Sequence, residues 1–170
     1  MTPMLSPLIV FGEDWGVHPS STGHLISRMT ADRKVIWVNS IGLRAPRLGI
    51  YDLARLLRKV TALFRRSALP HPMAENSPRV VDLPALPFYR FRLVRTLNGW
   101  MMSRRLLWIM RHEGIEAPIL WLSLPSAVVV AGRLDERAVV YYCGDDFSAL
   151  AGVDHAVITA MEKSLRRAPI

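Results

Sequence analysis

Short apolar runs alternate along the chain with longer segments in which apolar residues recur every three or four positions. The runs predict buried strands, and the recurring pattern predicts helices with one apolar face. The run from Val35 to Val38 is apolar without interruption, which favours a strand buried on both faces of a parallel sheet. The predicted strands span residues 7–11, 34–39, 79–83, 118–122 and 137–143.

The predicted helices fall between and after these strands, and the first has an apolar stripe formed by Leu25, Ile26 and Met29. Strands that alternate with helices imply βαβ units. The predicted fold class is therefore α/β, a Rossmann-like, doubly wound parallel sheet with helices on both faces. No internal repeat or second domain is evident, so residues 1–170 are predicted to form one domain. The helices span residues 20–31, 52–66, 91–112, 125–131 and 154–167.

Polar residues and glycine mark the predicted helix ends. Ser20, Ser21 or Thr22 can cap the first helix, because their hydroxyls accept hydrogen bonds from unpaired amides of the first turn. Gly114 is expected to end the long helix, since glycine adopts the left-handed conformation found there. Asp154 is expected to cap the last helix.

The charge balance is strongly basic, with 22 Lys and Arg residues against 14 Asp and Glu residues. A surface of this kind suits nucleic acid, anionic lipid or phosphorylated substrates, although an arginine-rich coding background would give the same excess.

The single cysteine, Cys143, falls in a predicted buried strand and indicates a reducing compartment. We therefore expect a cytoplasmic location. The apolar segment 91–110 is interrupted by arginines, so it is not expected to cross a membrane.

The predicted helix 52–66 carries leucines on one face and basic residues on the other. The basic face suits an anionic membrane surface or an anionic acceptor. A core-facing helix with a solvated back would show the same pattern. The basic residues are Arg55, Arg58, Lys59, Arg65 and Arg66.

The loop between the first strand and the first helix is a candidate ligand site. Helix N-termini favour anions, and glycines let a backbone approach a ligand closely. The loop lacks both the G-x-G-x-x-G and the P-loop patterns, so an ordinary strand-to-helix turn remains an alternative. The candidate residues near a substrate phosphate are Gly12, Trp15, Gly16, His18, Ser20 and Ser21.

Asp145 and Asp146 follow the last predicted strand. One carboxylate could accept a proton from a substrate hydroxyl while the other orients it; a turn or helix-cap pair is the alternative.

No histidine or cysteine spacing predicts a metal site. Arginines interleaved with Trp100 and Trp108 also suggest nucleic-acid contact, but no RNA- or DNA-binding motif accompanies them.

Three segments together resemble the N-terminal half of bacterial GT-B glycosyltransferases of the family-4-like group. They are the loop and helix from Trp15 to Arg28, the strand K-V-I-W-V-N from Lys34 to Asn39, and V-V-Y-Y-C-G-D-D-F-S from Val139 to Ser148. In that group the N-terminal domain mainly holds the acceptor. The C-terminal domain mainly holds the nucleotide-sugar, often through an E-x7-E motif that these residues lack.

The resemblance implies transfer of a sugar from a nucleotide-sugar to a lipid-linked or saccharide acceptor in cell-surface polysaccharide synthesis. It implies Asp145 or Asp146 as the base, although the family commonly has histidine there. It implies no cofactor besides the donor substrate, and docking at the inner face of the cell membrane. Without the nucleotide-sugar domain, the chain is expected to be inactive alone. A non-catalytic α/β binding or partner subunit is the alternative.

Overall fold

The computed structural model describes residues 5–40, 77–86, 88–144, 146–147 and 154–165. Within these residues the strands are β1 (Leu8–Phe11), β2 (Val35–Val38), β3 (Arg79–Val81), β4 (Ile119–Leu122) and β5 (Ala138–Tyr141). The helices are α1 (Ser21–Met29), α2 (Arg92–Glu113) and α3 (His155–Leu165), with a 3₁₀ helix at Pro125–Val130. The predicted helix 52–66 lies outside the described residues.

The strands form one parallel sheet in the order β3-β2-β1-β4-β5. Leu8 of β1 pairs with Val35 of β2 on one side and with Ile119 of β4 on the other. The predicted α/β fold class is confirmed, since all pairings among the five strands are parallel and helices pack on the sheet.

Alternate residues of the central strands divide the core between the two faces of the sheet. Leu8 and Val10 of β1 share one cluster with Ile26 of α1. Ile9 and Phe11 share the other cluster with side chains of α2, the 3₁₀ helix and α3. Successive side chains of a strand point to opposite faces, so an apolar run such as Leu8–Phe11 needs cover on both.

The helix ends confirm most of the boundary predictions. The Ser20 hydroxyl accepts a hydrogen bond from the Gly23 amide at 3.0 Å and caps α1. Gly114 has a φ of 60° and ends α2 in the left-handed conformation. Asp154 accepts from the Val157 amide at 3.2 Å, as expected of a cap. The predicted helix 125–131 is a 3₁₀ helix instead.

Two burial predictions are wrong. Leu25, predicted in the core stripe of α1, is exposed, while Ile26 is fully buried. The strand predicted at 137–143 is only half-buried, because β5 lies at one edge of the described sheet. Cys143 falls beyond β5 and is exposed.

The short β5 is tied to α3 by the Tyr141 hydroxyl, which donates to Glu162 Oε1 at 3.2 Å.

Candidate functional site

The candidate site lies where the strand order reverses, between β1 and β4. After β1 the chain enters α1 on one face of the sheet, and after β4 it enters the 3₁₀ helix on the other face. The two connections therefore diverge from adjacent strand ends. In open α/β sheets such a point opens a crevice where ligands bind.

A cavity of about 250 Å³, called here the strand-end cavity, occupies this crevice. Its walls come from the β1–α1 loop, the start of α1, the end of β4 and the segment after β5. Four of the lining side chains are serine or threonine, and each can donate and accept a hydrogen bond. The lining residues are Glu13, Pro19, Ser20, Ser21, Thr22, Ser123, Leu124, Tyr142, Gly144 and Phe147.

Hydrogen bonds join the start of α1 to the end of β4. The buried Thr22 hydroxyl lies 3.1 Å from the Ser123 hydroxyl. Ser123 also accepts from Trp121 Nε1 at 3.1 Å, and its amide donates to the Phe11 carbonyl at 2.9 Å. These bonds hold the opposing walls of the strand-end cavity at a set distance.

A second cavity of about 240 Å³, called here the Trp15 cavity, is lined by the β1–α1 loop, by α1 and by Trp37 of β2. The Trp15 and Trp37 rings meet edge to face, with their centroids 4.7 Å apart. Trp37 is buried and Trp15 is half-buried, so the Trp15 indole forms part of the wall. The lining residues are Glu13, Asp14, Trp15, Gly16, His18, Pro19, Ser20, Gly23, His24, Ser27 and Trp37.

The β1–α1 loop, which contributes to both cavities, is held by Trp37 of β2 and by the two residues that follow this strand. Trp37 Nε1 donates to the Glu13 carbonyl at 2.8 Å, and the Trp15 amide donates to Asn39 Oδ1 at 3.0 Å. The Ser40 amide and hydroxyl both donate to Asp14 Oδ1, at 3.0 and 2.8 Å. A loop fixed by this many bonds is formed before a ligand arrives, which lowers the ordering cost of binding.

Two glycines in this loop have different structural roles. A side chain at Gly12 would collide with the Trp37 ring, so the close approach of loop and indole requires glycine there. Gly16 has a φ of 77° with open space around it, so its constraint is conformational. The glycines that the sequence singled out therefore shape the loop, and Gly16 also lines the Trp15 cavity.

The two cavities adjoin, since Glu13, Pro19 and Ser20 line both. Among the described lining residues there is no lysine or arginine, despite the net charge of +8. Besides the Tyr142 phenol, the ionisable lining groups are two carboxylates and two imidazoles: Glu13, Asp14, His18 and His24. The site is thus rich in hydroxyl, carboxylate and aromatic groups, while the described cationic side chains lie elsewhere.

Most of the loop residues predicted from sequence come together here. Trp15, Gly16, His18 and Ser20 line the Trp15 cavity, and Ser21 lines the strand-end cavity. Gly12 lies under Trp37 rather than in either wall. The proximity of these residues to a substrate phosphate stays a prediction.

Of the two predicted catalytic carboxylates, Asp145 and Asp146, only Asp146 is among the described residues. Asp146 is exposed and engaged in a polar or electrostatic contact, and it is not among the residues that line either cavity. Its neighbour Phe147 is buried and lines the strand-end cavity. Asp145 lies outside the described residues, as do Arg55, Arg58, Lys59, Arg65 and Arg66. The catalytic and membrane roles proposed for these residues remain predictions.

Sequence reasoning missed Glu13, Thr22 and Ser123 as site residues. The signal for Ser123 was its position directly after a strand, but only the strand order shows that β4 neighbours β1. Glu13 was passed over because a single carboxylate in a loop has no pattern. Both residues line the strand-end cavity.

Within the described ranges no group of three or more His, Cys, Asp or Glu side chains could hold a metal ion. None of the described helices is long and apolar enough to cross a membrane. Comparisons of the chain with protein-family models, with curated proteins and with solved structures find no match.

Proposed function

We propose that this chain is the acceptor-side half of a glycosyltransferase, and that its two adjoining cavities receive the saccharide part of a substrate. The observation that carries the proposal is the chemistry of the joined walls: serine, threonine and tyrosine hydroxyls, carboxylates, imidazoles and two indoles, with no lysine or arginine among the described lining residues. The position at the strand reversal supports a ligand site in general.

The strand-end cavity matches the hydroxyls of a sugar. Sugar hydroxyls donate and accept at once, as do Ser20, Ser21 and Tyr142 in the cavity wall. A carboxylate such as Glu13 accepts hydrogen bonds only, and a bond to a charged group is stronger than a neutral one. A neutral polyhydroxylated ligand therefore meets a partner of the right polarity at each wall.

The Trp15 cavity matches the apolar side of a sugar ring. The C–H groups on one face of a pyranose pack well against an indole, while the hydroxyls at its rim reach polar groups. Trp15 offers such a surface, and His18, His24 and Asp14 line the same cavity. An apolar wall with a few placed polar groups is the usual form of a small-molecule site.

The proposed reaction needs a base on the acceptor side. The acceptor hydroxyl oxygen would form a bond to the anomeric carbon of the donor, and the bond from that carbon to the diphosphate would break. The nucleoside diphosphate leaves with the electron pair on its terminal phosphate oxygen, and the acceptor proton passes to a carboxylate. Asp145 or Asp146 is the predicted base, and Glu13 is a third carboxylate, one that lines both cavities.

The donor phosphate is proposed to lie near the first turn of α1. The amides of Ser21 and Thr22 belong to this turn, where a helix has unpaired donors. The donor itself would be held mainly by a nucleotide-sugar domain on another part of the protein or on a partner. The proposed location is the cytoplasm, at the inner face of the cell membrane.

The test is a titration of the ¹⁵N-labelled chain with neutral mono- and disaccharides and, separately, with nucleoside diphosphates. Saccharides are expected to shift the amides of residues 12–24, 121–124 and 142–147. Glu13→Gln is expected to weaken saccharide binding roughly tenfold, because it removes a charged acceptor without changing shape. Glu116→Gln, a change at an exposed acid that lines neither cavity, is the matched control.

Saccharide shifts that map elsewhere, or equal losses in the two variants, would contradict the proposed site. Turnover of a nucleotide-sugar by the isolated chain would contradict the half-enzyme interpretation. A non-catalytic binding subunit is the second candidate, since the same cavities would serve it. It is favoured if saccharide binds as expected but no donor-binding partner restores transfer.

A further inference from the structure

Helix α2 exposes large apolar side chains along one face. Leu93 is 79% exposed, Trp100 51%, Trp108 43% and Leu97 40%. Their spacing of four, three and eight positions puts them on one side of the helix. Phe91, immediately before the helix, is also exposed. Contiguous exposed apolar side chains of this kind mark an interaction surface.

The opposite side of α2 already supplies the packing against the sheet. Met102, Leu106 and Ile109 are buried in the core cluster with Ile9 and Phe11. The helix is therefore apolar on two sides, and the fold uses one of them. The outward side is called here the α2 outer face: Phe91, Leu93, Leu97, Trp100, Arg104 and Trp108.

The charged side chains on and around the α2 outer face are all cationic. From Leu83 to His112 the sequence has six arginines and no acidic residue. The Arg104 guanidinium lies 5.1 Å from the Trp100 ring centroid, and the Arg105 guanidinium lies 4.6 Å from that of Trp108. Arg90 stands over the Phe91 ring in the same way, at 4.6 Å. Each of the three aromatic rings of the face, at Phe91, Trp100 and Trp108, therefore has a guanidinium against it.

We propose that the α2 outer face docks on an anionic lipid bilayer, with the helix lying in the plane of the surface. Leucine, phenylalanine and tryptophan side chains would enter the boundary between headgroups and acyl chains. The arginines would meet the lipid phosphates, as in interfacial amphipathic helices. A membrane location already belongs to the proposed function; this proposal assigns a surface for it from observations of α2 alone, since no residue of the two cavities belongs to the face.

Two other occupants fit the face less well. A second copy of the chain would set one arginine-bearing face against an identical one, with no acidic side chain on α2 before Glu113 to offset the repulsion. A nucleic acid would use the arginines and the indoles, but it offers no apolar partner for Leu93, which is the most exposed large apolar side chain among the described residues. A lipid surface satisfies both the charged and the aliphatic groups.

The test is flotation of the 170-residue chain with vesicles of phosphatidylcholine alone and of phosphatidylcholine mixed with phosphatidylglycerol. Binding is expected only to the anionic vesicles. Leu97→Gln, combined with Leu93→Gln, is expected to weaken it roughly tenfold, because two inserted side chains become polar. Leu25→Gln is the matched control, since Leu25 on α1 is 39% exposed, against 40% for Leu97.

A second pair of variants tests the charges. Arg104→Gln is expected to weaken binding roughly fivefold near an anionic surface, while Arg28→Gln on α1 removes the same charge elsewhere and is expected to have a smaller effect. Brominated phospholipid is expected to quench tryptophan fluorescence, and Trp100→Phe with Trp108→Phe is expected to abolish that quenching.

Several outcomes would overturn the proposal. Equal flotation of the Leu93/Leu97 variant and the Leu25 variant would reject the face. Binding to a DNA or RNA oligonucleotide without binding to vesicles would assign the face to nucleic acid. A dimer that the Leu93/Leu97 change dissociates, in a protein that ignores vesicles, would assign the face to self-association.

Discussion

Helices α1 and α2 cover opposite faces of the same sheet but are used differently. α1 packs through Ile26, and its N-terminal turn lines the strand-end cavity. α2 packs through a longer apolar side and leaves a second apolar side, interleaved with arginines, in solvent. The contrast shows that burial against the sheet fixes one face of a helix, and that the rest of its surface carries information on ligands and partners.

The largest difference between the two sides of α2 is expected when a leucine is removed from each. Leu106→Ala is expected to lower the free energy of unfolding by about 3 kcal/mol, because it leaves a cavity beside fully buried neighbours. Leu93→Ala is expected to change it by less than about 0.5 kcal/mol, as usual for a surface substitution. Urea unfolding measures both, and similar losses would show that the outer face is part of the core.

The helical glycines give the next largest contrast. Alanine usually stabilises a helix relative to glycine, but a side chain at Gly99 of α2 would collide with the Val129 carbonyl of the 3₁₀ helix. Gly99→Ala is expected to lower the free energy of unfolding by about 2 kcal/mol through this overpacking.

Gly23→Ala on α1 is the matched control for Gly99→Ala. Its side chain would meet only the Ser20 hydroxyl, at 3.1 Å. The change in unfolding free energy is expected to stay within about 0.5 kcal/mol, since propensity and crowding oppose each other. A stabilising Gly99→Ala would mean that α2 does not lie so close to the 3₁₀ helix.

The N-caps of the two helices also differ. Ser20 caps α1 through its hydroxyl, whereas Phe91 at the same position of α2 provides no side-chain cap. Ser20→Ala is expected to lower the free energy of unfolding by about 1 kcal/mol. Phe91→Ser is expected to raise it, because Phe91 already has the extended backbone of a cap residue. Thermal melts compare the two, and a destabilising Phe91→Ser would show that the exposed ring has a packing role.

The smallest effect is expected where α3 meets the sheet edge. Tyr141→Phe removes the hydrogen bond to Glu162 and is expected to cost about 0.5 kcal/mol at neutral pH. Burial, with the nearby Glu162 carboxylate, raises the pKa of Tyr141 above its ordinary value of 10.0. The folded protein therefore disfavours the phenolate. The contribution of Tyr141 to the free energy of unfolding is present below pH 10 and declines as the pH rises above it.

The pH dependence gives that prediction its check. Unfolding of the wild type and of Tyr141→Phe, followed from neutral to alkaline pH, should show a steeper alkaline loss for the wild type. Parallel curves would mean that the Tyr141 phenol ionises alike in the folded and unfolded chains.

Local patterns in the sequence predicted much of the fold. The apolar runs predicted the five strands, Gly114 was predicted to end α2, and Ser20 was one of three residues predicted to cap α1. Each of these depends on a few neighbouring residues, so it can be inferred from their chemistry. The prediction that Leu25 is buried was wrong because two adjacent apolar residues fit one helical stripe equally well. The orientation of α1 on the sheet buries Ile26 and leaves Leu25 exposed.

The candidate site could be predicted only in part. The β1–α1 loop was recognisable from its glycines and its position after a strand. Ser123 lies 101 residues from Thr22, to which its hydroxyl is hydrogen-bonded, and no local pattern connects them. Parallel strands bring such distant segments together according to their order in the sheet, which follows from the packing of the whole domain.

The class of fold, most helix ends and the basic character of the chain could be inferred from the amino-acid sequence, because these depend on residue type and short-range spacing. The tertiary structure alone decided that β4 lies beside β1, that Glu13 borders both cavities, and that the described arginines do not line them. It also decided which side of α2 faces the sheet. Two apolar sides look alike in sequence, and only packing buries one and leaves the other in water.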